Sequence, residues 1–122
     1  MKNAINWFEI PVTNFDRAKI FYENILGATM EKMDSPGYLM AFFPAQDQGV
    51  SGAIIQGEGY VPSDKGALVY LNGSEDLNNV LSRVEKAGGK IVMPKKQINE
   101  QYGYFAIFHD TEGNKIALHS MK

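Results

Sequence analysis

The chain has 122 residues, 21% of them charged, with a net charge of −2 and a pI near 5.6. That length suits one compact domain burying roughly two-thirds of its unfolded surface, with no need of a covalent staple. Cysteine is absent, which removes a disulfide framework, thiolate zinc sites and cysteine nucleophiles together and fits a reducing compartment. Lys and Glu are interspersed, and the one basic cluster, Lys95-Lys96, is too short to follow a phosphate backbone, so no nucleic-acid partner is expected. The stretch from Met1 to Trp7 lacks the apolar core of a signal peptide, and no apolar run approaches the ~20 residues of a membrane span. A cytoplasmic protein with no membrane partner is the expectation.

Ile5 to Val12 is rich in Ile, Phe, Trp and Val and alternates imperfectly, which predicts a strand with one face buried; Pro11 falls near its end, where a missing donor is tolerated. Thr13-Asn14 offers a capping oxygen and Asp16 favours a first helical turn. Phe15, Ala18, Phe21, Tyr22, Ile25 and Leu26 then recur at helical spacing up to Gly27, a left-handed terminator. Ala28 to Asp34 is a weaker strand, and Ser35-Pro36-Gly37 a turn. GYLMAFFPAQDQGVSGAII, residues 37 to 55, reads as a hairpin.

Gln56 to Lys65 breaks both periods and is the one internal linker. Its two glycines lack the third glycine and the strand-to-helix context of a nucleotide fingerprint. The pattern then restarts. Gly66 to Leu71 is a strand, and Ser74 an N-cap followed by Glu75 and Asp76. Leu77, Val80, Leu81, Val84 and Ala87 form a helical stripe ended by Gly88-Gly89. Lys90 to Ile98 is a strand interrupted by Pro94. GYFAIFHDTEGNKIALHS, residues 103 to 120, is a second hairpin whose reversal, Asp110 to Asn114, carries Asx side chains and a glycine.

Each half is therefore strand, helix and three strands, offset by roughly sixty residues, which is an internal repeat. Helices covering one face of each sheet leave the other face free, and two halves side by side would enclose one concavity.

FEIPVTNFDRAKIFYENILG at 8 to 27, AGGKIVMP at 87 to 94 and FHDTEGNKIALHS at 108 to 120 resemble the vicinal oxygen chelate superfamily. That group holds glyoxalase I, bleomycin-resistance proteins, fosfomycin-resistance transferases and extradiol dioxygenases. The resemblance covers essentially the full length. It implies an α+β fold of two tandem βαβββ modules around a U-shaped cavity, often completed in a homodimer: module one at 1–57, a linker at 58–65 and module two at 66–122, in a single domain.

The metal enzymes of that superfamily carry His or Glu on the first and last strands of each module. Those positions fall here on Trp7, near Ala53, near Gly66 and on Ala117, none of which can bind a metal, whereas a divalent ion needs several oxygen or imidazole ligands at about 2 Å. The resemblance thus implies a member without the metal or any other cofactor, and places glyoxalase and dioxygenase chemistry in doubt.

Alternation picks out the cavity wall independently. If Phe8, Ile10 and Val12 face the first helix, Trp7 and Glu9 face the cavity. Leu68 and Tyr70 follow in the second half, as do Ala117 and His119 on the last strand and Ile55 on its counterpart. The wall is apolar and aromatic with two titratable groups, the usual make-up of a small-molecule pocket.

Glu9, between Phe8 and Ile10, would lose water in mid-strand and serve as a general base or a counter-charge; the competing reading is a structural carboxylate bonded to a neighbouring strand or to Arg17. His119 either serves a ligand, sharing a proton with Glu9, or is a satisfied edge histidine. His109-Asp110 lies at the hairpin reversal and reads as structural. Trp7 and Tyr70 stack on a planar ligand or fill the core. Tyr60 and the segment Gln97 to Tyr102 are the lid candidates.

The function expected is binding of a small organic molecule, in the manner of the drug-binding resistance proteins. The rivals are a lyase or isomerase using Glu9 as base and His119 as acid, a metal enzyme with relocated ligands, and a structural dimer with a filled cavity.

Overall fold

The computed structural model describes residues 3–122. Asn14 starts the first helix as its sequence requires: its side-chain oxygen accepts the Arg17 N–H at 3.1 Å, and Gly27, at φ 65°, closes the helix by donating to Glu23 O at 2.9 Å. Between these caps runs α1 (Phe15–Leu26), with Phe15, Ala18, Phe21, Tyr22 and Ile25 buried. The strands follow the predicted order: β1 (Trp7–Pro11) before α1, then β2 (Glu31–Ser35), β3 (Tyr38–Phe42) and β4 (Ser51–Gly57). The second half repeats the plan with β5 (Val69–Asn72), α2 (Asn78–Leu81), β6 (Lys90–Asn99), β7 (Gly103–His109) and β8 (Lys115–Ser120).

Two four-stranded sheets result, ordered β1-β4-β3-β2 and β5-β8-β7-β6. In each, the first and last strands of the repeat pair in parallel while the hairpins pair antiparallel. This is the expected α+β architecture of tandem βαβββ units. Among the described residues no helix is long and apolar enough to cross a membrane.

Three elements differ from expectation. The second stripe is buried as predicted at Leu77, Val80, Leu81 and Val84, yet regular α-helix covers only Asn78–Leu81. Ser74 is not the cap: it sits in the left-handed region at φ 63°, and Asp76 accepts the Asn78 N–H at 2.9 Å instead. Asn78, Asn79 and Ser82 are poor helix formers, and the Ser82 hydroxyl donates to Asn79 O at 3.2 Å, so tight i→i+3 turns carry the stripe onward. The fifth strand starts at Val69 rather than Gly66. The sixth runs on through Pro94, which is tolerated on an edge strand where three register shifts already break the ladder.

One core joins the halves. Tyr22 packs edge-on against Phe43 at 5.2 Å, and Phe21 meets Phe108 of the second sheet at 6.0 Å. The reversal between β7 and β8 locks this contact. Asp110 is buried and caps its own turn by accepting the Glu112 and Asn114 N–H groups, while its second oxygen accepts the Tyr22 hydroxyl at 2.6 Å and the Asn114 amide at 3.0 Å. Asn114 also donates to Pro11 O at 2.7 Å, at the end of β1. Gly113, at φ 86°, permits the turn.

Glu112 completes the clamp across the halves. One carboxylate oxygen accepts the N–H groups of Thr13 and Asn14 at 2.9 and 2.8 Å and the Thr13 hydroxyl at 3.0 Å; the other accepts Arg17 Nε at 2.8 Å. A carboxylate here also meets the positive end of α1. Burial alone would raise its pKa, but hydrogen bonds from Arg17, Asn14, Thr13 and Thr111 outweigh that and hold it at about 2. Burial and the adjacent Asp110 charge push the Tyr22 phenol well above its usual range.

Two outcomes follow for stability. Because the folded Glu112 sits near 2 against an ordinary 4.5, the unfolded chain binds more protons between those values. Its contribution, about 2 kcal/mol once solvent screening is allowed for, is present above pH 4.5 and lost as pH falls toward 2. Urea melts from pH 7 to pH 3 should show that loss, and Glu112→Gln should flatten it. Tyr22→Phe, which strips Asp110 of one buried donor, should cost about 1–3 kcal/mol by the same melts.

Candidate functional site

The face of the first sheet turned away from α1 is defined by register. Ile10, Ile54 and Ala41 lie in the core, so their neighbours Glu9, Ala53 and Phe42, paired across β1, β4 and β3, face the other way. The next row of that face is Pro11, Ile55 and Met40. Trp7 lies two residues before Glu9 on the same side, and its ring leans to within 5.9 Å of Phe42 at 64°. Its indole N–H points at the Glu9 carboxylate, 3.4 Å away. Tyr38, further along β3, meets Tyr60 of the linker edge-on at 5.9 Å. Tyr60 in turn lies against Glu9, whose negative charge is the main reason its phenol is raised above the ordinary value.

The result is a carboxylate among aromatic rings. Trp7 and Tyr38 remain 44% and 43% exposed, while Ala53 and Ile55 form a buried floor. Trp7 stands opposite Ser51 and Tyr38 opposite Gly57, so these two exposed rings lie toward opposite ends of the open face. Glu9 itself is exposed, so the desolvation expected in mid-strand is absent. The cavity face is open, and the neighbours that the strand pattern places around Glu9 do not cover it. Arg17, the alternative partner, is engaged by Glu112 instead.

The second half places its candidates elsewhere. Tyr70 and Asn72 pair in register with Ala117 and His119, and Leu68 falls just ahead of β5. Tyr70, Asn72, Ser74 and His119 line an open cleft of about 480 Å³. His119 Nε2 lies 2.6 Å from Tyr102 O; a carbonyl only accepts, so that nitrogen carries the proton. Ala117 is fully buried. Glu9 borders a different, smaller cleft of about 170 Å³ between β1 and β5, with no lining residue in common with the first. Trp7 and Glu9 are thus brought together, as are Tyr70 and His119, but no hydrogen bond, ion pair or shared cleft joins Glu9 to His119.

Tyr38 and Phe42 are additions to the predicted wall. Their signal was present in YLMAF, where Leu39 and Ala41 take the core side and leave Tyr38, Met40 and Phe42 on the other.

The chain belongs to the Glyoxalase/Bleomycin resistance protein/Dioxygenase superfamily, whose family model matches residues 4–118. A glyoxylase-like domain-containing protein of Didymella fabae is 31% identical over 131 residues, an alignment that covers 97% of this chain and 94% of that one. Among solved structures, a glyoxalase/bleomycin resistance protein from Albidiferax ferrireducens superposes with a TM-score of 0.70 at 15% identity, covering 95% of this chain and 97% of the other. Glyoxalase I from Zea mays superposes at 0.68 with 22% identity over 95% of this chain, which spans only 45% of the maize one.

The superfamily's metal does not fit the residues present. Of the positions the resemblance assigned to it, Trp7 carries an indole, Ala117 and Ala53, near which a second position falls, are fully buried methyl groups, and Gly66, near the remaining one, has no side chain and lies ahead of β5. None is a donor to a divalent ion. Among the described residues no group of three or more His, Cys, Asp or Glu side chains could hold a metal. Elemental analysis of the purified protein should therefore find less than stoichiometric Mn, Fe, Ni or Zn. Adding each ion should move the melting temperature by less than about 1 °C, since a ligand of the native state must raise it. A bound equivalent, or a clear shift with one ion, would reopen metal chemistry.

Proposed function

We propose that this protein binds a small organic molecule on the open face of the first sheet, without a metal, and as a cytoplasmic homodimer. The observation that carries the proposal is the Trp7 indole on the Glu9 carboxylate with Phe42 against it: Trp7, Phe42 and the neighbouring Tyr60 supply apolar area, and the carboxylate supplies polarity. This is the composition of a ligand pocket rather than of a sealed core. Exposed Met33 and Tyr38 on one sheet and Tyr70 on the other support an assembly in which a second copy covers these faces. The names of the relatives, a glyoxalase and a bleomycin resistance protein, fit a fold that handles small molecules.

The lyase or isomerase reading is less well supported. A general base must stand within hydrogen-bond reach of its proton, and an acid paired with it must share the pocket. Glu9 and His119 line separate clefts.

Trp7 is the only tryptophan, so its emission reports directly on the proposed site. A fragment library of planar aromatic compounds, screened by that emission, should give saturable quenching for some members. Phe42→Ala should weaken those hits about tenfold, a loss of about 1.4 kcal/mol, with the melting temperature held. A library that never moves the emission, or hits indifferent to Phe42→Ala, would count against this face as the site.

A further inference from the structure

The ring set and the carboxylate together constrain the charge of what binds, an inference that rests on the binding face proposed above. Glu9 forms no ion pair among the described residues. The cations along the same seam are Lys65 and Lys115, which border the smaller cleft with Glu9. Lys65 meets Asp64 at 3.4 Å on the exposed surface, and neither lysine comes within ion-pair distance of Glu9. The groups that do approach the carboxylate are the Trp7 indole N–H and the Tyr60 phenol. The carboxylate's direct contacts are neutral donors, and the two lysines of its cleft stay beyond ion-pair distance.

The rings lie where that charge acts. Glu9 and Phe42 flank Ala53 on successive strands, so they stand two inter-strand spacings apart, about 10 Å, with only a methyl group between them. Trp7 leans over this row toward Phe42, while Tyr60 meets Tyr38 four residues back along β3 from Phe42. Ring faces carry negative quadrupole and attract cations, most strongly where water is partly excluded. A neutral ligand would use the rings and leave the carboxylate idle; an anionic one would be repelled by it. We infer that the ligand is an organic monocation, an alkyl- or arylammonium, seated with its charge on Glu9 and its methyl or methylene groups against Trp7, Phe42 and Tyr60. Tyr60 is then a specificity-determining residue supplied by the linker. Its backbone N–H is tied to Gly57 O at 3.2 Å, which holds the ring over the first sheet.

The test is a titration of Trp7 emission with trimethylphenylammonium and with tert-butylbenzene, its uncharged isostere, on the native protein and on Glu9→Gln. The native protein should prefer the cation by roughly tenfold or more, and Glu9→Gln should erase the preference while leaving affinity for the isostere within about twofold. Circular dichroism and thermal melts check that the variant is folded; the side chain is exposed, so no loss is expected. Equal binding of both compounds by the native protein, or a preference that survives Glu9→Gln, overturns the cation inference and leaves the binding face standing. Silence from both compounds, together with silence from the neutral aromatic library, overturns the face and the inference alike.

Discussion

Glu112 reaches back ninety-nine residues to the start of α1 and supplies what a helix terminus lacks, an acceptor for its unpaired N–H groups. The Thr13 and Asn14 amides, the Thr13 hydroxyl and the Arg17 guanidinium all converge on this one side chain. Of these, the charge-assisted bonds to backbone donors matter most. Arg17 is half exposed, and an exposed ion pair contributes little. Asp110 and Asn114 extend the same reversal to Tyr22 inside the core and to Pro11 at the end of β1. The two halves of the repeat are therefore joined by polar bonds of fixed geometry as well as by apolar contact, and β1 is held at both its core face and its end.

That constraint reaches the site because β1 carries both Trp7 and Glu9. With Ile10 sunk in the core and Pro11 O bonded to Asn114, the pleat leaves Trp7 and Glu9 no choice of face. Their partners follow from register: Ala53 beside Glu9, and Phe42 beyond it. The superfamily's ligand positions have been given to an indole and to two alanines. On this frame the Trp7 indole lies beside the Glu9 carboxylate, with Phe42 two strands away. Such a change of chemistry on an unchanged fold is what separates fold from function.

Much of this was legible in the residues. Asn14, Gly27 and the stripe between them define α1 with its caps, because cap and period are local properties. The two Gly-Tyr hairpins define the repeat, and the parity of Phe8, Ile10 and Val12 assigns Trp7 and Glu9 to the open face. Asp110 was recognisable as a turn residue. Its bond to Tyr22, and the whole role of Glu112, were not, because no local pattern encodes a partner some ninety residues away. The short regular span of α2 was hidden by a stripe whose spacings of three and four suit i→i+3 turns as well as α-helix. Glu9 appeared buried on strand pattern alone, since a strand does not disclose whether the sheet beside it is covered. Its separation from His119 likewise depends on how two sheets share one core, which only coordinates reveal.

The most direct test of the account is an amide and indole chemical-shift map of the 15N-labelled protein titrated with an arylammonium compound. Shifts should gather on the Trp7 indole N–H and on the backbone of Glu9, Phe42, Ala53 and Tyr60, leaving Tyr70, Asn72 and His119 unmoved. Shifts gathered on Tyr70, Asn72 and His119 instead, or spread thinly over both sheets, would contradict it.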